Sequence, residues 1–85
     1  MWILHQSKET IFNIDNAIAI EYGYRSPYGS KNKKEHTVIY CDDGEILSTD
    51  IIMGKYPSKK RCLEVIQDIV KNIHLKNPTY EMPEK

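Results

Sequence analysis

Apolar and polar residues alternate along the first two thirds of the chain, and after residue 57 the spacing lengthens to that of a helix. Residues 2–5 (Trp2 to His5) form a short apolar start, and Gln6 to Glu9 is polar enough to turn the chain. Residues 10–14 are β-branched and aromatic, which suits a strand, so these two segments predict a hairpin. Asp15-Asn16 then punctuates, since both side chains bond the local backbone readily. In residues 17–24, Ile18, Ile20, Tyr22 and Tyr24 share one face, while Ala17, Ala19, Glu21 and Gly23 share the other. Arg25 to Lys34 holds Pro27, Gly29, two serines and four cations without an acid, and reads as a basic loop. Residues 35–41 predict a fourth strand, Asp42-Asp43-Gly44 a tight turn, and residues 45–53 a fifth strand with a bulge near Ser48-Thr49-Asp50.

Ser58 is positioned to cap a helix that runs to about Leu75. Cys62, Ile66, Ile69 and Ile73 make its apolar stripe, widened by Leu63, Val65 and Val70. Pro78 stops the helix, and residues 76–85 read as a flexible tail without a packing role. The expected fold is therefore α+β: one domain over residues 1–75, a five-stranded antiparallel sheet in the order β-β-β-β-β-α packed on one C-terminal helix. One helix covers one sheet face, so the other stays wet or meets a partner, and a homodimer or higher oligomer is expected.

Composition narrows the function classes. The 85 residues carry 12 Lys+Arg against 12 Asp+Glu, a formal charge of zero, which gives no general attraction to nucleic acid. No apolar run approaches the roughly 18–20 residues that cross a bilayer, and the first residues lack the pattern of a signal peptide, so a cytoplasmic location is expected. Cys41 and Cys62 both lie among apolar residues and read as small buried hydrophobes.

Catalytic chemistry has no foothold in the spacing. No two His or Cys stand at a zinc separation, and Asp42-Asp43-Gly44 lacks the further carboxylates of a calcium loop. The order of Ser, His and Asp names no nucleophile with its base, and the four glycines are too scattered for a phosphate loop. A non-enzymatic protein without cofactor or metal is expected.

Two features suggest binding. Lys59, Lys60 and Arg61 occupy the first helical turn, with Lys55 four residues before, where the helix dipole disfavours cations by about 0.3–1 kcal/mol each. A phosphate or a partner carboxylate near Ser58 would relieve that conflict. Six tyrosines form the second feature: Tyr24 and Tyr28 flank Arg25 and lie beside Lys31, Lys33 and Lys34, a mixture typical of binding surfaces. Tyr22 and Tyr40 read instead as cross-strand packing residues.

The opening Trp2-Ile3-Leu4-x-Gln6 with Asn13-x-Asp15-Asn16 resembles the start of small uncharacterised proteins of Firmicutes phages and prophages. Met53-Gly54-Lys55-Tyr56, then Ser58 and Arg61-Cys62-Leu63-Glu64-Val65-Ile66, is similar to their usual ending, and the likeness covers most of residues 1–73. In that family Ala is usual where this chain has Cys62, which further weakens any special role for the thiol. The resemblance implies a phage-borne accessory protein, and such proteins often inhibit host machinery, including host defence, by stoichiometric binding. The expected partner is a host protein held through the exposed sheet face and the 25–34 loop, with the tail as a further contact, and the basic helix start is expected to bind an anionic feature of a partner protein or a nucleotide. The alternative is an oligomer that sequesters a phosphorylated small molecule such as a nucleotide signal.

Overall fold

A computed structural model describes residues 1–15, 17–26, 33–42 and 50–85, and for Ile18, Asp42 and Asp50 the backbone only. The expected Asp42-Asp43-Gly44 turn, the bulge near Ser48-Thr49-Asp50, and most of the basic loop, including Tyr28 and Lys31, lie outside the described residues.

Among the described residues seven elements follow in order: β1 (Trp2–Leu4), β2 (Ile11–Asn13), β3 (Ala17–Arg25), β4 (Glu35–Asp42), β5 (Asp50–Tyr56), α1 (Lys59–His74) and β6 (Thr79–Glu81). The α+β class agrees with expectation, but the single five-stranded sheet does not. Among the described residues the strands form two three-stranded sheets, β2-β1-β6 and β3-β4-β5. The expected hairpin of the first two strands exists, with Ile3 opposite Phe12. It does not join β3, which pairs with β4; instead the other edge of β1 takes β6, which runs parallel to β1 with Tyr80 opposite Ile3.

That pairing also corrects the expected tail. Residues 79–81 are a strand, and Tyr80 and Met82 are buried in the core with Ile3, Val38, Tyr40, Met53, Tyr56, Cys62, Val65 and Ile69. Alternation over only three residues, between two prolines, carries too weak a signal to separate a strand from a tail. The ladder is continued at both ends, by Trp2 N–H donating to the Pro78 carbonyl (2.9 Å) and Met82 N–H to that of Leu4 (3.1 Å).

The larger sheet is a meander. Ile20, Tyr22 and Tyr24 stand opposite Tyr40, Val38 and His36 on the face that packs on α1, and on the far side of β4 Val38 faces Gly54. Register shifts occur at Ala17/Ala19 in β3 and at Met53, which is the extra residue between Ile52 and Gly54. The second shift keeps Ile51 and Gly54, three residues apart, on the face of Tyr40 and Val38, and Met53 is buried between them. β5 also runs three residues past its expected end, through Gly54, Lys55 and Tyr56. Gly54 is required there: a Cβ would stand 2.9 Å from the Tyr56 ring, which lies across it. Gly23 likewise leaves space for Ile39, which is buried on the opposite face beside Thr37, whose hydroxyl donates to the Gly23 carbonyl (2.7 Å). The far sheet face is therefore not uniformly wet.

The helix begins as expected. Ser58 is extended, and its hydroxyl accepts the Arg61 N–H at 3.1 Å. Its core side is narrower than the sequence stripe. Cys62, Val65 and Ile69 are buried and Ile66 half-buried, whereas Leu63, Val70 and Ile73 remain 44%, 53% and 50% exposed. A helix crossing only three strands buries one narrow line of its surface, so Val65 joins that line while Leu63, Val70 and the expected stripe residue Ile73 stay outside it. The helix ends with Lys76 at φ 57°, where Asn77 N–H donates to the Asn72 carbonyl and Lys76 N–H to that of Ile73. This is the double hydrogen bond of a Schellman ending, formed on a residue other than glycine.

Candidate binding surface

The register of β3 on β4 places Tyr24 opposite His36, and Tyr22 one pair further along the same face. Their rings form a row. Tyr22 and His36 stack at 5.9 Å between centroids, inclined by 25°, and Tyr24 approaches His36 at 4.7 Å. The Tyr22 hydroxyl and His36 Nδ1 are hydrogen-bonded at 2.7 Å, which fixes the imidazole. A cation stands at each end: Lys59 Nζ lies 5.3 Å from the centre of the Tyr22 ring, and Lys34 Nζ 6.0 Å from that of Tyr24. Each such contact is worth about 0.5–1 kcal/mol at an exposed site. Tyr24 is 53% exposed, so the row presents an accessible ring between two ammonium groups. Burial raises the Tyr22 phenol above its ordinary value, so this hydroxyl stays protonated at neutral pH.

The structure therefore divides the residues that the sequence grouped. Tyr24, Lys34 and Lys59 come together around His36 and Tyr22. Lys55 and Lys33 are instead drawn to Glu35, at 3.3 and 3.9 Å, and Arg25 lies 4.0 Å from Glu21 on the other face of the same sheet. The Glu35 oxygen nearest Lys55 is buried and has no aligned hydrogen bond, so the ammonium holds it as an ion pair only.

Ser58 is occupied as the helix cap, and Arg61 has a structural role. Its Nε and Nη2 donate to the Lys85 carbonyl at 3.0 and 2.8 Å, and Nη1 lies 3.5 Å from Glu64. Two of the three cations in the first turn thus find partners within the chain: Lys59 on an aromatic ring and Arg61 on a carbonyl and a carboxylate. That explains how the turn tolerates them with no acidic residue present. Lys60 is exposed on the outer side of α1, where it lines an open groove of about 910 Å³ with Leu63, Glu64, Gln67 and Lys71.

His36 and Tyr22 are the members of this surface that sequence reasoning missed. His36 has the same parity as Val38 and Tyr40 in β4, but its meeting with Tyr24 depends on the register across the basic loop, which composition does not reveal. Beside His36 opens a cavity of about 450 Å³, lined by Lys34, Glu35, Lys55, Tyr56, Pro57, Glu84 and Lys85.

Cys41 is half-exposed and Cys62 buried, and neither is in a disulfide. Burial pushes the Cys62 thiol above its usual range, away from the reactive thiolate. Among the described residues, no three His, Cys, Asp or Glu gather as a metal site, and no helix is long and apolar enough to cross a membrane. No family model, curated protein or solved structure matches the chain.

Proposed function

We propose that this protein acts by stoichiometric binding and not by turnover, and that it occupies an acidic surface of a host protein. The supporting observation is the row Lys59–Tyr22–His36–Tyr24–Lys34, in which three rings stiffened by stacking are flanked by a cation at each end of an open surface. Stiff aromatic residues bury large areas at small entropic cost, and flanking cations steer a negatively charged partner into register. Together with the resemblance to phage accessory proteins, this favours an inhibitor, most simply an anti-defence protein, working in the cytoplasm of the host.

Capture of partners from host lysate by the wild-type chain and by a Tyr24→Ala, Lys59→Glu variant tests the reading. The expected result is one protein held by the wild type, lost from the variant, with an unchanged melting temperature. Equal retention by both would remove the row from the interface.

The cavity beside His36 favours a second reading, an anionic small molecule, since about 450 Å³ lies within the size range of ligand pockets. Glu35 and Glu84 in its wall weigh against an anion there. Heat-denaturing the purified protein and analysing the released supernatant by mass spectrometry separates the two readings.

A further inference from the structure

The two outer edges of the larger sheet are treated differently. The edge of β5 is closed by the chain itself: Gln6 N–H donates to the Met53 carbonyl (3.0 Å), the Gln6 amide bonds both backbone groups of Lys55, and His5 Nε2 meets the Ile52 carbonyl (2.8 Å). β3 is nine residues long and pairs only with β4 among the described residues. Beside it lies a groove of about 300 Å³ between strand and helix, lined by Ile14, Ala17, Ile20, Ile66, Val70 and Ile73 with Ala19 and Ile69. Every lining side chain is apolar, and Val70 and Ile73 are half-exposed.

We propose that a second copy of this chain docks here, its β3 pairing antiparallel with the first across a twofold axis near Ile20, so that the two grooves close on each other. An unpaired strand edge is complemented by another strand, and a twofold axis makes a patch its own partner. Charge selects this end of the strand. Lys34 over Tyr24 lies four residues from Ile20, roughly 13 Å at strand rise, and Lys59 over Tyr22 two residues away, roughly 7 Å from the axis and so about twice that from its copy. Pairing centred on Gly23 would bring two such basic ends together. Centring on Ile20 sends them to opposite ends of the dimer, separated by more than the roughly 8 Å Debye length. With zero net charge the two chains do not otherwise repel. One dimer would then carry two binding rows facing apart and engage two partner molecules.

Sedimentation velocity across a concentration series, combined with amide hydrogen exchange, tests the proposal. The wild type is expected at about twice 9.9 kDa at high micromolar concentration. Val70→Lys and, separately, Ile73→Lys should weaken the dimer by about tenfold or more while leaving the circular dichroism spectrum intact, since both positions are half-exposed in the monomer. Leu63→Lys, elsewhere on the helix, should remain dimeric. In the wild type, exchange at β3 amides should slow as concentration rises, with β5 amides unaffected. A monomer at every concentration, a dimer insensitive to both lysines, or a dimer without concentration-dependent protection of β3 would each overturn the proposal.

Discussion

The side-chain amide of Gln6 pairs with Lys55 as a strand residue would: Oε1 accepts the Lys55 N–H at 2.7 Å and Nε2 donates to the Lys55 carbonyl at 2.8 Å. The same nitrogen lies 2.9 Å from the Glu84 carbonyl and 3.3 Å from that of Pro83. One side chain thus joins the smaller sheet, the last strand of the larger one and the C-terminal segment. Gln6→Ala should destabilise the protein by about 1–3 kcal/mol, because several backbone groups lose their partner together. Gln6→Glu should recover little, since a carboxylate can accept from Lys55 but faces three carbonyls. Urea denaturation of both variants checks this.

The C-terminal segment is a structural element. Tyr80 is buried, with its hydroxyl donating to Asp68 at 2.8 Å, and Tyr56 donates to the Pro83 carbonyl at 2.8 Å. Tyr80→Ala should cost about 3–5 kcal/mol and Tyr80→Phe about 1 kcal/mol. A chain ending at Asn77 is expected to lose cooperative melting. Full stability after that truncation would show that β6 does not hold β1.

Stability should fall above pH 10. Burial pushes the Tyr56 phenol up to about 12, and burial, reinforced by Asp68, raises that of Tyr80 further. Both folded values exceed the unfolded one, so the neutral phenols contribute fully below about pH 10. Above it the unfolded chain binds fewer protons than the folded one, and stability declines as pH rises toward the folded values. Melting temperatures between pH 8 and 12 should show this decline, and Tyr56→Phe should make it shallower.

Lys76 holds a left-handed conformation that glycine adopts without a Cβ clash. Lys76→Gly should stabilise the protein by about 0.5–1 kcal/mol, the relief of strain exceeding glycine's added entropy in the unfolded chain. A loss of stability in chemical denaturation would mean that the lysine side chain contributes more than its backbone costs.

Within the helix, Ile69→Ala should cost about 2–5 kcal/mol, because its side chain is fully enclosed. Val70→Ala should cost less than about 1 kcal/mol in dilute, monomeric protein, where the residue is half-exposed. Similar losses at both positions would place the core stripe one residue further round the helix.

Local chemistry was enough to locate most elements. The alternation of residues 17–24, the capping serine at 58 and the helical spacing from Cys62 to Ile69 each depend on neighbours a few residues away, and such signals survive in a single sequence. The α+β class follows from them. What joins distant segments did not follow. β6 exists because a buried edge of β1 needs a partner, and its three residues pair across most of the chain length. The separation into two sheets is likewise a matter of which distant strands pair. The binding row has the same origin. Tyr24, Lys34 and Lys59 were legible as a basic, aromatic mixture, but His36 enters only through strand register, and Lys33, Lys55 and Arg61 leave because Glu35 and the Lys85 carbonyl claim them. Charge patterns along a chain mark which residues are available for contact; long-range pairing decides which of them the fold has already used.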